Sequence, residues 1–384
     1  MKKLSKIANA FFELVRAGLW TDVESKDLGE LGFIESVDWE KVYQLAEEQS
    51  VVGLVLQGIE RLKNATPHFN LNQELLLQWI GEVQSLEQQN KSMNLFVANL
   101  IEKMRKVDIY ALLVKGQGIA QCYERPLWRA PGDVDLLLSR DNYQKAKSFL
   151  TPFSSSVENE NTKVQHLGFT IQDWTVEIHG SMRSRCLSKM DKIIEEVQND
   201  IFYGGNVRSW QNGNTVVFLP SPDVDVILVF THILKHFFRS GIGLRQICDW
   251  CRLLWSYKDS LNYGLLETRI RKAGLMSEWR SFAALAVDYL GMPQDAMPLY
   301  SSKIKWQRKA NHVISYILEV GNFGHNRDQS YYSNEPFLTR KIISLRRRFS
   351  DFANHFFIFP IDSLKVLLRT LLNGVLAVIK YNEK

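Results

Sequence analysis

The sequence predicts an α+β protein: a small mixed β-sheet core flanked by N-terminal and C-terminal helical regions. Apolar residues recur at helical spacing through roughly the first hundred positions. Between about 106 and 220 the pattern changes to short apolar runs of strand length separated by helix-like stretches, and after Pro222 the helical period returns.

The N-terminal region, 1–105, contains WEKVYQLAEEQSVVGLVLQGIERL, where Val42, Leu45 and Ala46, then Val52, Leu54 and Leu56, share or adjoin one face. SVDWE, residues 36–40, offers a capping start for one of its helices. In the core, 106–220, the strand-length runs are IYALLVKG from Ile109, VDLLL from Val134, LGFTIQD from Leu167, WTVEIHG from Trp174 and TVVFLP from Thr215. GIAQCYERPLW and DNYQKAKSFL read as helices between them. Residues 221–320 form a helical domain expected to close a cleft over the sheet, through VDVILVFTHILKHFF and GLRQICDWCRLLWSYK. The last part, 321–384, begins with a polar, Gly- and Asn-bearing linker up to Pro336 and ends in basic-apolar helices. The chain carries no internal repeat or low-complexity tract.

At 384 residues, with 45% hydrophobic and 23% charged, the chain is ordinary globular protein and excludes fibrous or disordered classes. A net charge of +5 and a pI near 8.8 permit an anionic ligand without requiring nucleic acid. No aromatic-interleaved basic stripe supports nucleic-acid binding. The four cysteines are too scattered for a disulfide framework, and Cys248 and Cys251, a C-x-x-C without a second pair, read as buried thiols. Glu13 and Arg16 interrupt the N-terminal apolar run, so a cytoplasmic location is expected. At the other end, Arg346, Arg347 and Arg348 precede an apolar stretch broken by Lys365, Arg369 and Lys380. Packing onto the protein itself is the expected use of that segment, ahead of peripheral membrane contact, and the arginines read as a solvated face.

RAPGDVDLLL, residues 129–138, carries the chemistry. Strand alternation points Asp133 and Asp135 to one side, where two carboxylates in one small volume call for a cation, usually a divalent metal on hard oxygen ligands. Upstream, Lys115 and Gly116 end a strand before a Gly-bearing turn and a helix, an arrangement that lets backbone N–H groups face a phosphate. Lys115 would add a point charge and Arg129 a planar fork. Downstream, Glu177 and His179 share a face of a later strand, and a third acid there completes what two-metal phosphoryl transfer needs. His232 and His236, four apart on a helix, read as core or cleft-lining residues. Arg245 and Asp249 read as an i, i+4 ion pair.

Taken together, a strand, Gly turn and helix, then D-x-D on the next strand, then an acid on a later one resembles the DNA polymerase beta type nucleotidyltransferase superfamily. Within it, KGQGIAQCYERPLWRAPGDVDLLL followed by EIH is similar to the uncharacterised nucleotidyltransferases, with L-K-G, R-x-x-G-D-[IV]-D-L-L and E-x-H. The resemblance covers about residues 30–300 and implies a nucleotidyltransferase core at 106–220. It implies Mg²⁺ or Mn²⁺ on Asp133, Asp135 and Glu177, which are also the catalytic set, and an NTP bound by Lys115, Gly116, Gln117, Arg129 and His179. Gln117 stands where the superfamily has Gly or Ser. The expected reaction moves an NMP group from the NTP to a hydroxyl of an unidentified acceptor, a small molecule, glycan intermediate or protein, with release of pyrophosphate. The alternative is a nucleotide-binding sensor or scaffold with reduced or no catalysis.

Overall fold

The structure, a computed structural model, describes residues 5–20, 37–65, 71–324, 326 and 337–382. The capping residue Ser36 and most of the linker between Gly321 and Pro336 lie outside these.

Helices α1 (Lys6–Leu19), α2 (Trp39–Glu48), α3 (Val52–Ala65) and the long α4 (Gln73–Arg105) come first. Side chains satisfy their leading N–H groups: Ser5 accepts from Ala8, Asp38 from Lys41 and Asn72 from Glu74. The cap of α2 is thus Asp38 of the SVDWE stretch.

Close approach of α1 and α3 is written into glycines. A Cβ at Gly58 would lie 2.1 Å from the carbonyl oxygen of Leu14, and one at Gly18 would lie 2.1 Å from that of Leu54. Ala in place of a helical Gly normally adds up to about 1 kcal/mol. Here the methyl must push two backbones apart, so Gly58→Ala is expected to cost about 1–3 kcal/mol in urea denaturation. Gly81→Ala on α4, where a Cβ meets nothing within 4 Å, should instead be stabilising.

Strands β1 (Ala111–Val114), β2 (Val134–Leu138), β3 (Ser156–Val157), β4 (His166–Ile171) and β5 (Trp174–His179) form one sheet in the order β1-β2-β5-β4-β3. Only β2 and β5 run parallel; their neighbours are antiparallel. The parallel register sets Asp135 opposite Glu177 and Leu137 opposite His179. One face is apolar: Leu113, Leu136, Leu138, Val176 and Ile178 pack on Val97, Ile101 and Met104 of α4 and on Tyr143 and Ala146 of α6 (Arg140–Leu150). A single-turn helix, α5 (Gly116–Ala120), follows β1.

The run TVVFLP is a strand, β7 (Thr215–Pro220), but it pairs with β6 (Val207–Asn212) in a separate two-stranded sheet. Val217 and Leu219 extend the core behind the main sheet. In β6, VRSWQN, only Val207 and Trp210 are apolar, so it lacks the continuous run that marks a buried strand.

Along the chain, helix α7 (Ser188–Phe202) comes between β5 and β6, and α8 (Pro222–Arg239), α9 (Leu244–Ser256), α10 (Tyr263–Ala273), α11 (Met276–Leu290) and α12 (Ile304–Val320) follow β7. Phe230 of α8 anchors their core against Trp250 and Trp279, with ring centroids 5.2 and 4.6 Å away. Cys248 and Cys251 are buried in it as thiols, as expected.

Helices α13 (Phe337–Ile358) and α14 (Pro360–Asn382) dock through Ile358, Phe359 and Val366 and leave Phe357, Ile361 and Leu368 exposed. The expected solvated arginine face needs correction: Arg348 turns inward and donates to the Arg239 carbonyl at 2.6 Å. Among the described residues no helix is long and apolar enough to cross a membrane.

Glu278 of α11 is 1% exposed and faces Asp362, in the first turn of α14. Burial and then the Asp362 carboxylate push Glu278 up to about 8 from its usual 4.5. The folded state therefore holds a proton that the unfolded chain gives up at lower pH. The stability this proton supplies is full below the unfolded value and is lost as pH rises toward about 8. Glu278→Gln, which keeps an N–H donor toward Asp362 and does not titrate, should flatten the fall of Tm between about pH 5 and pH 8.

Candidate active site

The site lies on the sheet face opposite α4. A cavity of about 540 Å³ opens there, between the ends of β1, β2 and β5 and the helices α8 and α9. Its size suits a small ligand.

Asp133 stands just before β2 and Asp135 within it; the pairing of Asp135 with Glu177 in the parallel register places Glu177 on their side of the sheet. The acids have different surroundings. Asp135 is buried, and Lys115 Nζ at 2.6 Å and His179 Nε2 at 2.8 Å meet one of its oxygens. Burial alone would raise Asp135, but Lys115 and His179 outweigh it and hold the carboxyl below its usual range. Glu177 is likewise raised by burial and more than offset by His166, whose Nε2 is 3.0 Å away, and by His179 at 3.4 Å, so it stays ionised. Asp133 is exposed on the cavity wall and has only the weaker pull of Lys115 and Arg245: desolvation, then Glu177 and Asp135, push it up to about 6.

The three expected carboxylates line one cavity without forming a cluster in which every ligand atom lies within 4.8 Å of the others. Among the described residues the metal-competent group, with ligand atoms within 4.8 Å of one another, is His166, Glu177 and His179. The strand that the sequence pattern starts at Leu167 begins one residue earlier in the structure, at His166. In HLGFTI it alternates against Leu167, Phe169 and Ile171, and that period-two pattern was the available signal.

Lys115 and Gly116 have positive φ, +59° and +41°, and the turn they make brings the chain from β1 into α5. For Lys115 this is a strained backbone, held where its ammonium reaches Asp135. A Cβ on Gly116 would stand 3.4 Å from the Asp133 carbonyl oxygen, so this turn and the aspartate loop are in close contact.

Two expected phosphate contacts go elsewhere. Gln117 is buried and turns to α4, donating to Asn90 Oδ1 at 3.0 Å and Asn94 Oδ1 at 2.8 Å. Position 117 must fill and satisfy that polar niche, so its side chain does not face the cavity. Arg129 spends its fork on Asp249, through Nε and Nη2 at 2.8 Å each, and Tyr123 donates to the same carboxylate at 2.8 Å.

The expected Arg245–Asp249 pair is therefore corrected. Arg129 takes Asp249, while Arg245 donates to the carbonyls of Ala130 and Pro131, at 3.1 and 2.7 Å, and lines the cavity. Burial and then the neighbouring Arg129 bring Arg245 down to about 10. Asn90, buried on α4, completes the support of this loop by donating to the carbonyls of Leu127 and Arg129. Both Asn90 and Asp249 were beyond sequence reasoning as loop anchors, since their partners are remote in the chain.

His232 and His236 of α8 are cleft-lining, with ring centroids 4.3 Å apart. Burial, then Lys115 for His232 and Lys235 for His236, depresses both, so they stay neutral. Lys235 between them is also lowered, by burial and then Lys115.

Asp133, Asp135 and Glu177 offer hard carboxylate oxygens to the cavity, the ligand type a divalent cation takes, and His166 and His179 stand beside Glu177. The Lys115 ammonium, at 2.6 Å from Asp135, is the charge such an ion would compete with. Residues 35–291 match the family described as uncharacterised nucleotidyltransferase. The chain belongs to that family, and is by that membership of the transferase class. No curated protein and no solved structure gave a significant match.

Proposed function

We propose that the protein transfers an NMP group from an NTP to the hydroxyl of an acceptor, releasing pyrophosphate. One observation carries the reading: the parallel register of β2 and β5 supports a single acidic face, Asp133, Asp135 and Glu177, beside the Lys115–Gly116 turn in one cavity.

Asp133, Asp135 and Glu177 would hold Mg²⁺ or Mn²⁺. Bound there, the metal supplies charge neutralisation on the triphosphate and acidifies the attacking hydroxyl. Lys115 and Arg245 orient the phosphates by charge, and the Gly116 backbone lets them approach closely. His166, held by Glu177 at 3.0 Å, takes the hydroxyl proton at its other ring nitrogen. The acceptor oxygen bonds to the α-phosphorus as its bond to the β-bridging oxygen breaks.

The test is to incubate the full chain with each α-labelled NTP, Mg²⁺ or Mn²⁺ and a cell extract, following label and pyrophosphate. Transfer of the α-label with matching pyrophosphate supports the reading. NTP bound but never cleaved would favour the sensor or scaffold alternative.

A further inference from the structure

Beside the acid-bearing cavity lies a second one of about 550 Å³, and the two share a wall formed by Lys115, His166, His232 and Lys235. Its charge is the opposite. Lys163, Arg183, Arg185, Lys235, Arg239 and Arg348 line it, and no aspartate or glutamate does.

These cations come from separate parts of the chain: the loop before β4, the segment between β5 and α7, helix α8, and α13. Their backbones and side chains are tied together. Arg183 donates to the Lys163 carbonyl at 3.1 Å, Arg239 to that of Arg185 at 2.9 Å, and Arg348 to that of Arg239 at 2.6 Å. Arg183 also pairs with Glu195 at 2.8 Å. Among the described residues no carboxylate pairs with Lys163, Arg185 or Lys235. So many like charges around one cavity repel each other unless an anion enters.

We infer that this second cavity receives the acceptor, and that the acceptor is a hydroxyl compound bearing a phosphate group. The inference rests on the nucleotidyl-transfer reading for the acceptor's role, but the anion site itself does not. Gly116, Asp133, Asp135 and Glu177 all line the first cavity and none lines the second. A nucleotide held at the acids therefore meets its acceptor at the shared wall, where His166 stands. Arginine and lysine give a phosphate charge-assisted hydrogen bonds that they cannot give a neutral sugar or alcohol. Arg348 makes the C-terminal helices part of this substrate pocket.

Glycerol 3-phosphate is a suitable probe, titrated calorimetrically into the full chain saturated with Mg²⁺ and a non-hydrolysable NTP analogue, with glycerol as the uncharged control. Expected is saturable binding of glycerol 3-phosphate and none of glycerol, weakened about tenfold or more by Lys163→Gln and by Arg185→Gln. Both variants should bind the NTP analogue as the parent chain does. Absence of binding, or binding indifferent to both substitutions, overturns the inference. So does selective loss of NTP-analogue affinity in these variants, because the basic cavity would then hold the triphosphate. If the chain binds glycerol 3-phosphate in this variant-sensitive way without the analogue, yet binds no NTP, the nucleotidyl-transfer reading fails while the anion site stands.

Discussion

Asp133→Asn is expected to reduce metal-dependent turnover by about three orders of magnitude, corresponding to roughly 4 kcal/mol of transition-state stabilisation. The substitution keeps the size of the side chain and removes the charge that would hold the cation. Its effect on folding should run the other way. Asp133 is pushed up to about 6 by desolvation, Glu177 and Asp135, so in the metal-free protein its ionisation opposes folding above that pH. The metal-free Asn variant should thus be at least as stable as the parent at pH 8 in urea denaturation. Asp135→Asn should lose activity equally but also lose stability, since Lys115 at 2.6 Å and His179 at 2.8 Å would be left facing an amide. Inactivity together with undiminished stability in Asp133→Asn identifies a functional charge; substantial activity without Asp133 would remove it from the metal site.

The contrast between these aspartates shows what was legible in the chain. VDLLL runs from Val134 to Leu138 in both the sequence pattern and the structure, because five apolar or alternating residues between a Pro-Gly turn and a capping Ser139 leave little choice of boundary. Alternation also put Asp133 with Asp135 on one face of their strand and Glu177 with His179 on one face of another. It could not supply the strand order, and that order makes β2 and β5 neighbours. Nor could it choose among partners for a charged side chain. Arg245 and Asp249 have the spacing of a helical ion pair, yet Asp249 faces the RAPGD loop from α9 and meets a better-shaped fork on Arg129, 120 residues earlier. Gln117 looked like a phosphate-turn residue until α4 supplied Asn90 and Asn94. His166 was readable, one position before the strand assigned to it. Lys163, Arg183 and Arg185 form no pattern in sequence; folding gathers them around one cavity.

Loss of the Arg129–Asp249 pair should have the largest effect on stability. The two side chains are only 5% and 6% exposed, they meet through two hydrogen bonds of 2.8 Å, and Tyr123 adds a third contact to the carboxylate. Burial works against the charge on Arg129, but Asp249 more than offsets it and raises the guanidinium above its ordinary value. Arg129→Ala leaves Asp249 buried with only Tyr123 as a neutral donor, and about 3–5 kcal/mol of folding free energy should be lost. Arg245 is the nearby cation that limits this loss, being itself lowered to about 10 by burial and Arg129. Truncating Arg129 relieves that repulsion and lets Arg245 compete for Asp249, at the expense of its bonds to Ala130 and Pro131. Arg129→Ala should accordingly disturb the loop that delivers Asp133, lowering turnover as well as stability. The double variant Arg129→Met, Asp249→Leu removes both charges and fills the space, so it should recover most of the folding free energy. It should not recover activity, because the loop's polar anchor is gone. A loss below about 1 kcal/mol in Arg129→Ala would mean the pair behaves as a solvent-exposed one, and the loop would then owe its position to Asn90 and Arg245 instead.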